Sequence, residues 1–137
     1  MKQYEMYELS MTGKKLTDNQ VRIHLDVAVT TDGETKTVRA FYDGENENGE
    51  GIYKVRIYPE KTGEYEIIVK ENDYGVCEEE KLFCEAQPQN GTHHGMVQPY
   101  EIHFRYADGT WFYPFGTTVY ALAHQPVDVI EQTFDTL

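Results

Sequence analysis

The stretch QVRIHLDVAVTT, Gln20 to Thr31, constrains this chain more than any other. Val21, Ile23, Leu25, Val27 and Val29 fall on one side of it, and Arg22, His24 and Asp26 on the other. A period of two predicts a strand with one face in a core and one in water. A helix would scatter the same valines around its whole circumference. Asp32-Gly33 follows at once and supplies a tight turn, and TKTVRAFYD, Thr35 to Asp43, is the partner strand.

The same grammar recurs along the first two thirds of the chain. YEMYELSM, Tyr4 to Met11, reads as a first strand. In IYKVRIYP, residues Tyr53, Val55 and Ile57 point one way and Lys54 and Arg56 the other, until Pro59 ends the run. KTGEYEIIVK places Tyr65, Ile67 and Val69 inward, and its Gly63-x-Tyr65 is where a tyrosine hydroxyl can bond back across a sandwich corner. KLFCEAQP, Lys81 to Pro88, is a sixth strand. ENENGEG, Glu45 to Gly51, and ENDYGVCEEE, Glu71 to Glu80, read as exposed acidic loops. No convincing helix precedes residue 125. With 137 residues, 11 Tyr and 6 Phe, the expectation is one all-β domain. The architecture expected is an immunoglobulin-like antiparallel β-sandwich, with a closed barrel as the structural alternative.

A net charge of −12 repels phosphate backbones and anionic lipid, so nucleic acid and membrane surfaces are poor partners. Neutral sugars remain compatible with it. No apolar run is long enough to span a bilayer. The N-terminus, MKQYEMYELSMTG, has no apolar core of the signal-peptide kind, which points to the cytosol. Cys77 and Cys84 form no C-x-x-C pattern and read as free thiols. His24, His93, His94, His103 and His124 have no metal-ligand spacing and read as linker and surface residues. The acidic runs at Glu45–Glu50 and Glu78–Glu80 lack the ordered oxygen spacing of a calcium loop. Nothing calls for a metal or a cofactor.

After PQNGTHHGMVQP, residues 88–99, which has linker character, the pattern changes. YEIHFRYADGTWFYPFG is a hairpin around Asp108-Gly109. FGTTVYALA, Phe115 to Ala123, reads as a strand buried on both faces. Pro126 suits the first helical position, and Val127, Ile130, Phe134 and Leu137 recur at helical spacing. A buried strand followed by a helix opens an α/β fold, and one such unit cannot stand alone. Trp111, Phe112, Tyr113 and Phe115 form an aromatic block. It is either a platform for sugar rings or a seal where sandwich, hairpin and barrel meet, and burial favours the seal.

YEMYELSMTG, VRAFYDG with YKVRIYPEKTGEY, and HFRYADGTWFYPFGTTVYALAHQP together resemble the apiosidase-like glycoside hydrolases. The residue after Asp-Gly-Thr is commonly Pro in that family and is Trp111 here; the one before His124 is often Thr and is Ala123. The resemblance implies a sandwich over residues 1–87, a linker over 88–99, and over 100–137 a hairpin with the first strand–helix unit of an incomplete (β/α)8 barrel. It implies that the catalytic carboxylates lie outside this chain, which would act as a non-catalytic module beside the catalytic barrel of the same parent chain. Thr117, Tyr120 and His124, at the end of the first barrel strand, and Trp111 are then the candidates for substrate contact. Two alternatives stand: a free-standing carbohydrate-binding sandwich, and a structural module that self-associates into a homo-oligomer through its C-terminal segment.

Overall fold

The computed structural model describes residues 1–17, 22–70, 72–88, 91–116 and 121–136. Six antiparallel strands build its main body: β1 Tyr7–Gly13, β2 Leu25–Thr31, β3 Glu34–Glu45, β4 Gly51–Ile57, β5 Gly63–Val69 and β6 Glu78–Cys84. Their spatial order is β1-β4-β3-β2-β5-β6. β2, β3 and β4 form a meander and β5 returns beside β2, which is a Greek key.

β3 is 12 residues long because it serves two halves of the sheet. Its first part pairs with β2, from Glu34 against Thr31 to Ala40 against Leu25. Its last part pairs with β4, Phe41 against Lys54 and Tyr42 against Tyr53. The register then slips between Tyr42 and Glu45, where Gly44 takes φ 101°. A bulged strand bends, and β3, shared by both ladders, carries the sheet over its own apolar face in a sandwich-like arrangement.

The alternation predicts which side chains fill the space between the halves. Ile23, Leu25, Val27 and Val29 are buried from β2 and its approach, Tyr53, Val55 and Ile57 from β4, and Tyr65, Ile67 and Val69 from β5. The strand expected from Gln20 begins at Leu25; Val21 lies outside the described residues. At the corner, the Tyr65 hydroxyl donates to the Lys61 carbonyl at 3.0 Å, the back-bond expected of Gly63-x-Tyr65.

The segment expected as an acidic loop before the sixth strand is a plug as well. Asn72 folds it by accepting from Tyr74 N at 3.0 Å and donating to Val76 O at 2.7 Å. That turn drives Val76 into the core and lays the Tyr74 ring 5.7 Å from Tyr53. Glu78 to Glu80, expected in the loop, open β6 instead. Opposite the plug, Gly13 pairs with Gly51, and a methyl on Gly51 would collide with the Lys14 carbonyl.

The two edges of the sheet nearly meet. The Tyr7 hydroxyl bonds to both Glu80 oxygens at 3.0 and 3.1 Å, and Lys2 forms a parallel bridge with Glu85. Cys77 is exposed and Cys84 buried, and both are free thiols. Among the described residues no helix is long and apolar enough to cross a membrane.

Two tyrosines stand edge to face in this core, their centroids 5.3 Å apart, and their hydroxyls differ. That of Tyr53 donates to Lys14 O at 2.8 Å, whereas that of Tyr42 is buried with no partner among the described residues. Tyr53→Phe is expected to lower the unfolding free energy by about 1 kcal/mol, and Tyr42→Phe to leave it unchanged or raise it. Urea unfolding of the two variants tests this; equal losses would contradict the assignment.

Candidate functional site

A second, three-stranded sheet follows the sandwich: β7 Val97–Tyr100, β8 His103–Tyr106 and β9 Trp111–Phe112, in that order. β7 begins inside the stretch expected as linker, so Val97, Gln98 and Pro99 belong to the sheet. The predicted hairpin is present: Tyr106 N donates to Thr110 O at 2.8 Å, and Gly109 turns the chain at φ 89°.

Strand alternation splits the aromatic block into two faces. Pairing sets Tyr100 against His103 and Arg105 against Trp111 on one of them. Val97 against Tyr106, and Pro99 and Phe112 against Phe104, fall on the other. The second face is an edge-to-face stack, with Tyr106 to Phe112 at 5.3 Å and Phe104 to Phe112 at 6.5 Å.

The first face is built around a cation. The Arg105 guanidinium carbon lies 3.9 Å from the Tyr100 ring centre and 3.8 Å from that of Trp111. Those two rings are 6.0 Å apart at 80°, so the guanidinium occupies the corner between them. His103 meets Trp111 edge-on at 5.7 Å. Cation–π attraction of this kind contributes about 0.5–2 kcal/mol per ring, more as water is excluded. Arg105 Nε is buried with no hydrogen-bond partner among the described residues. The outer sides of Tyr100 and Trp111 stay open, at 43% and 41% exposure. The face offers a fixed positive charge framed by aromatic surface, a chemistry of binding or docking.

A second pair pins the sheet. His94 Nδ1 and Asp108 Oδ2 are 2.8 Å apart, and Asp108 Oδ1 accepts from Thr110 N at 2.9 Å. Partial burial pushes the Asp108 carboxyl up, but the Thr110 and His94 contacts outweigh it and hold it below its ordinary value. Gly95 sits where any side chain would strike Ala107 or the Tyr4 ring, which is how the sheet joins the sandwich.

Of the four residues singled out from sequence, Trp111 is in this cluster. His124 is not; it ends a single 3₁₀ turn, Leu122–His124, and is exposed. Thr117 and Tyr120 lie outside the described residues. The expected strand Phe115 to Ala123 does not continue through its described end, where Ala121 is left-handed at φ 54° and the 3₁₀ turn follows. The physical reason is that a strand needs a partner for its backbone groups, and none is paired there among the described residues. The helix α1, Val127–Thr136, forms as expected, with the Pro126 carbonyl accepting from Val129 and Ile130 at 3.1 Å. Pro126 therefore caps it rather than opening it. None of its residues is buried.

Sequence reasoning missed Tyr100 and Arg105, and left His94 and His103 as linker and surface residues. The signal was present: once Asp108-Gly109 is a turn, pairing places Arg105 opposite Trp111.

A model of a domain of unknown function, DUF5060, matches residues 1–71. No curated protein matches the chain. Among solved structures, a putative glycoside hydrolase from Bacteroides vulgatus ATCC 8482 is similar at a TM-score of 0.79 and 31% identity, over 98% of this chain and 25% of that one. The chain thus spans about a quarter of that protein's length.

Trp111 is the only tryptophan, so its fluorescence reports this cluster alone. Because the Asp108 carboxyl is lowered by folding, its contribution is complete above the ordinary carboxylate range and is lost as pH falls through the lowered value. Trp111 emission is expected to show an acid transition below the ordinary carboxylate range, as pH falls through the lowered Asp108 value. In Asp108→Asn that acid transition should vanish; an unchanged transition would contradict the role given to Asp108.

Proposed function

The chain belongs to the DUF5060 family of domains of unknown function, and from its likeness to a quarter of the Bacteroides vulgatus protein we propose that it is a non-catalytic, immunoglobulin-like accessory module of a larger glycoside hydrolase. The parent enzyme is of the apiosidase-like kind and acts on plant-type glycans. The module supports a catalytic barrel carried by the same parent chain.

One observation carries this reading. Eleven of the fourteen large apolar residues left exposed among the described residues lie between Met96 and Phe134. Among these residues the sandwich has covered all but Met6, Tyr58 and Phe83 of its large apolar side chains, and the segment after it has not. Phe115, Val127 and Phe134 stand open in a stretch whose counterpart in the Bacteroides vulgatus protein belongs to a chain about four times as long. Apolar surface concentrated in this way marks a region that buries against something else. In the assembled enzyme Thr117, Tyr120 and His124 would lie at the rim of the sugar site, and Trp111 with Arg105 would brace the junction. The Tyr65 corner and the Greek-key order support the immunoglobulin-like type.

The intact mass of the native protein in its source cell tests the reading. A mass near four times 15.9 kDa is expected, in proportion to the quarter coverage. Hydrogen exchange in α1 should then be fast in the 137-residue chain and slow in the native protein. A native mass of 15.9 kDa would overturn the reading. If light scattering also gave a dimer, the apolar segment would be a self-association surface.

A further inference from the structure

Among the described residues three large apolar side chains of the sandwich stay exposed, Met6, Tyr58 and Phe83, and Phe83 alone of them lies on one of its strands. Phe83 is 62% exposed near the end of a regular strand, while its neighbours Leu82 and Cys84 turn inward. Around it the outer face of the sheet carries an ordered polar pattern. Glu64 pairs directly with Phe83, and Lys81, Glu66 and Thr30 form a row across β6, β5 and β2. Lys81 Nζ lies 2.9 Å from Glu66, and Thr30 shares a 2.9 Å hydrogen bond with Thr35. These residues line a cleft of about 460 Å³. It continues past Asp32 and Gly33 into a second hollow of about 500 Å³, with which it shares Thr31 and Glu64. Each is of the size of a small-ligand site.

We propose that this cleft is a binding subsite for a neutral oligosaccharide, with Phe83 as its platform. A pyranose or furanose ring has one face of C–H groups, which suits an exposed phenyl, and a rim of hydroxyls, which suits alternating acceptors and donors. The Glu64 carboxylate, which makes no ion pair among the described residues, accepts two neighbouring hydroxyls. Lys81 donates to an oxygen, and Thr30 does either. The two joined hollows give room for a short chain of sugars rather than one ring.

Charge selects the ligand. Lys81 is engaged with Glu66, and Lys61 with Asp32 and Glu34, so the groove carries no surplus positive charge. In a chain of net charge −12, uronic or sulfated glycans are repelled. A peptide adding to the edge of β6 is disfavoured too. That edge opens with Glu78, Glu79 and Glu80, and Tyr7 already ties Glu80 to the opposite edge. The inference rests on the sandwich alone and is independent of whether a catalytic barrel follows.

Amide chemical shifts of the whole chain test it, titrated with cellotetraose, xylotetraose and maltotetraose, and with tetragalacturonate as the anionic counterpart. At least one neutral tetrasaccharide should move the amides of Thr30, Glu64, Glu66 and Phe83 with a dissociation constant at or below about 1 mM. Phe83→Ala, an exposed substitution that spares the core, should weaken that binding by about tenfold or more. Trp111→Ala should leave it intact. The proposal fails if none of the three neutral sugars moves these amides, or if Phe83→Ala binds as the parent does. It fails equally if tetragalacturonate binds as tightly, or if Trp111→Ala alone abolishes binding, which would move glycan recognition to the three-stranded sheet.

Discussion

Strand β3 has to belong to two ladders at once, and the rest of the sandwich depends on that. Its first part completes the β2 hairpin and its last part completes β4. Across the changeover Ala40 and Tyr42, two residues apart, stay buried on the same face. The slip between Tyr42 and Glu45, with Gly44 at positive φ, falls inside the second ladder and bends the end of the strand just past the changeover. The Tyr42–Tyr53 contact sits at that bend, and Tyr53 in turn meets Tyr74 of the plug. Bend, core and plug are therefore one cooperative unit. Weakening any of the three should loosen the others.

Surface charge reinforces this body without defining it. Glu8 on β1 faces Lys54 at 3.2 Å and Arg56 at 2.8 Å, and Lys54 also reaches Asp43 at 2.6 Å. The network links β1, β4 and β3 on the face away from the core. The Arg56 and Lys54 contacts hold the Glu8 carboxyl below its ordinary value. Exposed pairs of this kind contribute little singly; their use here is to fix which residues of neighbouring strands stand opposite.

The segment from Met96 to Thr136 follows a different economy. Its hairpin is locally complete, with cross-strand rings, a guanidinium in an aromatic corner and the Asp108–His94 clasp. Its helix begins at the Pro126 carbonyl and buries none of its residues. Yet neither element encloses a core, and their apolar sides stay in contact with water. A sheet of three short strands has too little area to bury both of its faces. This contrast between a sandwich with a covered core and an open tail is what the proposal of a larger parent chain rests on.

Much of this was readable in the chain itself. Period-two alternation determined which residues of Leu25–Val29, Tyr53–Ile57 and Tyr65–Val69 are buried, because a strand's two faces are fixed by geometry before any partner is chosen. Gly63-x-Tyr65 announced its corner, Asp108-Gly109 its hairpin, and Pro126 its helix. What the sequence left open was decided by contacts between residues distant along the chain. The plug at Val76, β6 beginning at Glu78, and the corner of Tyr100, Arg105 and Trp111 all depend on which strands become neighbours. So does the cleft at Phe83, assembled from β2, β5 and β6. A local pattern specifies the face of a strand; only the tertiary pairing specifies what lies opposite, and every candidate site in this protein is made of opposites.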